Sequence, residues 1–204
     1  MRRVHRRIHV AALGAVTALS VSLLSCQREE PERAELPEKS EQSENEVSSM
    51  AFKLMSPAFQ DGETIPERYT CVGEDVSPLL VWEGAPEGTR SFALVVEDPD
   101  APGGTFVHWV IFNIPGDATG LPEGVEPLEK LENGAVQGAN DFRRLGYGGP
   151  CPPPGKPHRY YFILWALDRE LSLGPGVTKD RLELEIEKFG GPLGEARLMG
   201  TFGR

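Results

Sequence analysis

At 204 residues the chain has room for one ordinary domain with extensions, and 39% hydrophobic against 25% charged residues excludes a wholly disordered or multi-span membrane protein. The formal net charge is −10, and no basic patch or stripe offsets it, which excludes nucleic acid as a partner. Four arginines and no acid lie in the first 26 residues, so the chain without them stands near −14.

Arg2, Arg3, Arg6 and Arg7 open the chain, residues 10–24 are apolar or small, and Ser25-Cys26 follows. A basic start, a short apolar run and a small residue make an export signal; the run falls short of the ~20 residues that a membrane helix needs. LLSC at 23–26 resembles the bacterial lipobox, which implies a signal peptide over 1–25, cleavage before Cys26 and a lipid on its sulfur. Leu24 departs from the small residue usual there. Gln27, rather than Asp, after the cysteine favours the outer membrane in a cell that has one. Residues 27–50 carry eight glutamates and only four apolar side chains, Ala34, Leu36, Val47 and Met50. That is too little apolar surface to offset the entropy of ordering, so residues 26–50 are expected to form a disordered acidic tether. The folded domain is expected over 51–204.

Within it, 23 glycines and 18 prolines across the chain punctuate short runs rich in Val, Phe, Tyr and Trp, a mainly β signature. Residues 79–82 make a short candidate strand. Residues 91–97 (SFALVVE), 107–114 (VHWVIFNI) and 160–168 (YYFILWALD) are near-continuous apolar runs and predict buried strands; 198–202 predicts a closing one. One helix is predicted, with Thr178 as N-cap, Asp180 in its first turn, Leu182, Ile186 and Phe189 on one face, and Gly190-Gly191 as its stop. Long connections remain at 116–137 and 138–157, and loops of that size in a small domain tend to carry function.

Polar residues collect at three strand ends. DPDAPGG at 98–104 offers Asp98 and Asp100, with Pro99 and Pro102 stiffening the backbone. His108 opens the next strand. GYGGPCPPPGKPHRY at 146–160 combines glycines that let backbone approach a ligand, prolines that hold it rigid, and His158, Arg159 and Tyr160 where it re-enters a strand. Each also has a plain structural explanation: an Asx-capped turn, a satisfied strand-end histidine, a loop.

Together, YTCVGEDVSPLLVW (69–82), SFALVVEDPDAPGG (91–104), HWVIFNIP (108–115), GANDF (138–142) and GYGGPCPPPGKPHRYYF (146–162) resemble the phosphatidylethanolamine-binding protein, or Raf kinase inhibitor-like, family in its bacterial and archaeal branch. The resemblance covers about 52–204. It implies a large antiparallel sheet packed on a smaller one in Greek-key order with few peripheral helices, and a small pocket for phosphate-type head groups. Carried over by motif, its wall is Asp98, Asp100, Pro102, His108, Tyr147, Gly149, Pro150, Pro152, His158 and Tyr160. Arg159 is expected to close a structural ion pair. Phe202 stands where the family commonly has tyrosine, Gly191–Gly194 replaces an expected His-Leu-Ala stretch, and SPLL at 77–80 replaces SPPL, which puts the pocket's C-terminal edge in question.

The resemblance also places Cys71 and Cys151 in loops around the pocket. With Cys26 lipidated, they are left either as a bridge in an oxidising compartment or as two free thiols. The leading expectation is a membrane-anchored, exported binding protein without cofactor or metal, taking a small anionic or phosphorylated ligand; its protein partner is unknown. No GxSxG elbow or recognisable Ser/His/Asp set marks a nucleophile. The alternatives are a metal-dependent hydrolase using Asp98, Asp100, His108 and His158, and an inhibitor of an extracellular protease.

Overall fold

A computed structural model describes residues 51–204. The export signal, Cys26 and the tether lie outside the described residues. In chain order come β1 (Lys53–Met55), a 3-10 turn (Glu67–Tyr69), β2 (Leu80–Glu83), β3 (Ser91–Asp98), β4 (Phe106–Pro115), β5 (Gly120–Leu121), β6 (Val136–Gln137), β7 (His158–Leu167), α1 (Lys179–Lys188) and β8 (Gly194–Phe202). They make a five-stranded antiparallel sheet in the order β6-β4-β3-β7-β8 and a three-stranded one in the order β1-β2-β5.

The near-continuous apolar runs follow from burial of the large sheet on both faces. Side chains alternate along a strand, so Phe92, Leu94 and Val96 of β3 enter the core shared with the small sheet, while Ala93 and Val95 enter the core beneath α1. Strand β7 divides likewise: Tyr160, Phe162 and Leu164 go to the first core, Ile163, Trp165 and Leu167 to the second. Full burial of such a side chain is worth about 1.5–3 kcal/mol, so β3 and β7 contribute to stability on both sides.

Strand β4 is interrupted twice. Asn113 takes a positive φ of 53°, and its amide group exchanges two hydrogen bonds with the backbone of Leu171, 2.9 Å from Nδ2 and 2.8 Å to Oδ1. The second irregularity matters more for the site. Val96 pairs with Trp109 and Glu97 with Val107, which leaves His108 as the extra residue of a β-bulge.

Several boundaries move from the expected ones. Strand β7 starts at His158, two residues earlier, because 158–166 pairs continuously with β8 from Phe202 back to Gly194. The first long connection, 116–137, contains both β5 and β6, too short to read from periodicity. Helix α1 is capped by Thr178, whose hydroxyl accepts from Arg181 N–H at 3.4 Å. Leu182 and Ile186 are buried, but Phe189 is exposed at the helix end, with the Arg169 guanidinium 4.3 Å and the Lys188 ammonium 4.9 Å from its ring centre. The left-handed Gly190 that stops the helix turns the chain away before Phe189 can reach the core.

Candidate functional site: a two-histidine pocket at the strand ends

The C-terminal end of β3 and the N-terminal ends of β4 and β7 lie side by side, and the turn 99–105 and the loop 146–157 rise around them. A pocket of about 220 Å³ opens there. Asp98, His108 and His158 supply its ionisable side chains; Pro102, Pro152 and Pro153 supply rigid wall; Phe106 and Phe142 supply aromatic wall; Ala101 and Cys151 complete it.

The bulge in β4 turns His108 toward β7, where its ring meets Tyr160 edge-on with centroids 5.2 Å apart. Phe106 and Phe142 flank it at 5.1 and 5.4 Å. Phe142 is set by its neighbour Asp141, which takes the Val107 N–H on Oδ2 at 2.7 Å and gives its own N–H to the Val107 carbonyl at 2.9 Å. His108 Nδ1 lies 2.6 Å from the Gly148 carbonyl, and Gly148 N–H returns a bond to the His108 carbonyl at 2.9 Å. A carbonyl only accepts, so Nδ1 carries a hydrogen. Burial pushes the His108 imidazolium down from its ordinary range, outweighing the Gly148 carbonyl and the Asp98 charge that pull it up.

His158 Nδ1 is 2.7 Å from Asp98 Oδ2, with both side chains buried, while Asp98 Oδ1 takes the Asp100 N–H at 2.8 Å. Nδ1 is again the protonated nitrogen, because a carboxylate only accepts. Each imidazole therefore keeps Nε2 for the pocket. Beneath them the Tyr160 hydroxyl is buried against Asp98 without a hydrogen bond of good geometry. Its phenol is driven up, first by burial and then by the Asp98 charge.

The loop behind the pocket is tied to segment 69–75. Tyr147 Oη donates to the Tyr69 carbonyl at 2.7 Å, Gly149 N–H to Asp75 Oδ1 at 2.6 Å, and Cys71 N–H to the Pro150 carbonyl at 3.1 Å; Cys71 and Cys151 are disulfide-bonded. From the other side Arg204 Nε donates to the Pro152 carbonyl at 2.7 Å, and Gly155 N–H to the Arg204 carbonyl at 3.1 Å.

The profile of the phosphatidylethanolamine-binding protein family matches residues 55–203. The chain belongs to that family. A UPF0098 protein of Methanothermobacter thermautotrophicus is 52% identical over 153 residues, spanning 75% of this chain and 99% of the relative. A solved phosphatidylethanolamine-binding protein homologue from Chlamydia trachomatis aligns with a TM-score of 0.68 and 39% identity over 76% of this chain and 98% of its own. Escherichia coli YbcL, described as a member of the mammalian family, aligns with the same TM-score at 38% identity over 75% and 98%. Membership supports a binding protein with the two-sheet, mainly β fold seen here.

Of the family-implied wall, Asp98, Pro102, His108, Pro152 and His158 come together around the pocket, with Tyr160 beneath. Asp100 does not face it. Its carboxylate is taken by Arg159 through Nη2 at 2.7 Å, Nε at 2.8 Å and the backbone N–H at 3.0 Å, and this holds it well below the usual carboxylate range. Tyr147 is turned inward, its ring 5.7 Å edge-on from Trp109, and burial raises its phenol. Gly149 and Pro150 hold the loop from behind. A side chain at Gly149 would strike the Tyr69 carbonyl and Asp75, so glycine is required for this close approach and not for ligand access.

Sequence reasoning missed Phe106, Phe142 and the wall position of Cys151. The GANDF stretch was a usable signal, since Asp141 is the anchor that brings Phe142 over His108. Among the described residues no three His, Cys, Asp or Glu side chains are grouped to hold a metal ion. No helix there is long and apolar enough to cross a membrane. A separate cleft of about 290 Å³ under α1 is charged, but its charges are paired: Lys179 sits 2.6 Å from Glu97 and 3.4 Å from Glu183, and Glu195 takes the Trp165 indole N–H at 2.9 Å.

Proposed function

We propose that the chain is an exported binding protein, held to a membrane by lipid on Cys26, whose pocket takes the head group of a phosphorylated small molecule or lipid. The observation that carries the pocket reading is the pair of imidazoles, each fixed through Nδ1 by an acceptor of the fold and each left with Nε2 for a ligand. Fixed rings reach a ligand oxygen without losing rotamer freedom on binding, which is the advantage of preorganisation. The aromatic wall of Phe106 and Phe142 suits the carbon part of the ligand or an attached ammonium group. Isothermal titration with phosphoethanolamine, compared between the unaltered protein and His108→Ala, tests this: binding lost in the variant is expected, and equal heats refute it.

The anchor reading rests on the LLSC sequence and the acidic stretch behind it. A 24-residue tether with the coil statistics expected from its composition would have a root-mean-square reach of ~30 Å and would keep the pocket near a lipid surface. Labelled palmitate should enter the protein and be absent from Cys26→Ala. A Cys26→Ala protein that still fractionates with membranes refutes the anchor and leaves the pocket reading intact.

A further inference from the structure

An oxyanion site is ordinarily lined by lysine, arginine or a series of free backbone N–H groups. This pocket has no lysine or arginine in its wall, and three of its wall residues are prolines, which have no N–H to give. Three nearby cations are already committed: Arg159 to Asp100 at 2.7 Å, Arg144 to Asp75 at 2.7 Å, and Arg204 to the Pro152 carbonyl at 2.7 Å, while Lys156 in the loop 146–157 and Arg143 beside Phe142 are exposed and outside the wall. Three carboxylates stand close by. Asp98 at the end of β3 holds His158, Asp100 in the following turn is chelated by Arg159, and Asp141 before Phe142 caps Val107 N–H. The remaining titratable group is the Tyr160 phenol, which lies against Asp98 and is held protonated by burial and by that charge.

With both Nδ1 atoms donating to the fold, a neutral imidazole presents only a lone pair at Nε2. The lone pair on His108 and the buried Asp98 carboxylate would repel the oxygens of a phosphoryl group. We infer that the pocket, on the binding reading given above, takes its oxyanion together with one proton from solvent, which forms an Nε2–H bond on His108 that then hydrogen-bonds to the ligand. No other bond changes. Burial favours neutral His108 in the free protein, so the free site is uncharged at that position and the ligand supplies the charge that draws the proton in. The ligand class follows: oxyanions that enter at mildly acid pH and are released as the pH rises, whether the phosphoryl group belongs to a free metabolite or to a lipid head group.

The test is titration calorimetry of the purified protein in two buffers of different ionisation enthalpy, near pH 7.5, with two probes. Phosphoethanolamine is a monoester whose own second proton titrates near pH 6; glycerophosphoethanolamine is a diester with no such proton. Uptake close to one proton per ligand is expected for both, with the binding constant rising about tenfold per pH unit lowered from 8 to 7. His108→Gln/His158→Gln presents amides that donate without titrating, and there the uptake should vanish while any remaining binding becomes independent of pH. A constant that is flat with pH and an uptake of zero overturn the inference and leave the binding reading standing. Uptake with the monoester alone, or full uptake in the double variant, puts the proton elsewhere and also overturns it. No binding of either probe between pH 5.5 and 8 overturns both readings.

Discussion

Removing the Cys71–Cys151 bridge tests how the pocket wall is held. The cysteines are 80 residues apart, so the bridge denies the unfolded chain a large set of conformations. The chain-entropy relation gives about 4.5 kcal/mol at 25 °C for a loop of that length, and native bridges usually deliver about 2–4. Cys71→Ala/Cys151→Ala should therefore lower unfolding stability by about 3–4 kcal/mol. At roughly 2–4 °C per kcal/mol for a domain of this size, the melting temperature should fall by about 6–16 °C. The folded state should change little. Tyr147 to Tyr69, Gly149 to Asp75 and Cys71 to Pro150 still tie the loop to segment 69–75 through three hydrogen bonds. Urea denaturation followed by tryptophan fluorescence measures the loss, after mass analysis has shown the 2-Da difference between oxidised and reduced protein. The bridged protein should also unfold with a smaller urea dependence, since its denatured state stays more compact. A loss below 1 kcal/mol with the bridge present, or a ligand affinity that drops more than tenfold, refutes this division between a stability role and a positioning role.

Gly149→Ala should cost about 1–3 kcal/mol and displace the loop, since its methyl group meets backbone at Tyr69 and Thr70; a crystal structure of the variant with the loop unmoved contradicts this. Asp100→Asn should change phosphoethanolamine affinity less than threefold, because the carboxylate is turned to Arg159. In the unaltered protein a carbon-13 titration should find Asp100 ionised well below the ordinary ~3.9 of an aspartate, so its contribution is complete above that value and disappears only as pH falls through the lower one. A midpoint at 3.9 or above rejects the chelate. For His108 the sign is the same but the window lies at higher pH: its neutral form is favoured by the fold, so the unfolded state binds the proton first and ligand-free stability should decline as pH falls below ~6.5. Ligand affinity should rise over the same range. A ligand-free stability that instead increases on acidification removes the burial argument for His108.

The large sheet was readable because its strands are buried on both faces, and such runs stand out against Gly and Pro. Of the small sheet only β2 was marked, by the run at 79–82; β1 and β5, like β6 at the edge of the large sheet, have two or three residues and draw their burial from neighbours distant in sequence. At the site, Asp98, His108 and His158 were found through residue type and strand-end position. The direction in which they point was hidden. His108 reaches Tyr160 only because a bulge breaks the alternation, and bulges are set by pairing with another strand. Asp100 looked equivalent to Asp98, two residues away. The register of β3 against β7 gives one of them to His158 and the other to Arg159. Tyr147 and Gly149 stand in a ligand-loop motif, yet their bonds run backward to segment 69–75.

The position of β3 has a consequence for how the protein is made. It lies at the centre of the large sheet, with β4 on one edge from the adjacent stretch of chain and β7 on the other from some sixty residues later. During synthesis, β3 and β4 can pair early, while six consecutive buried residues of β3 wait with one edge open. An unpaired apolar edge is the form of a chain most prone to join another copy. The interval between the emergence of β4 and that of β7 is therefore when a chaperone is needed, and slowing elongation between 116 and 157 should lower the yield of soluble protein more than slowing it after 167.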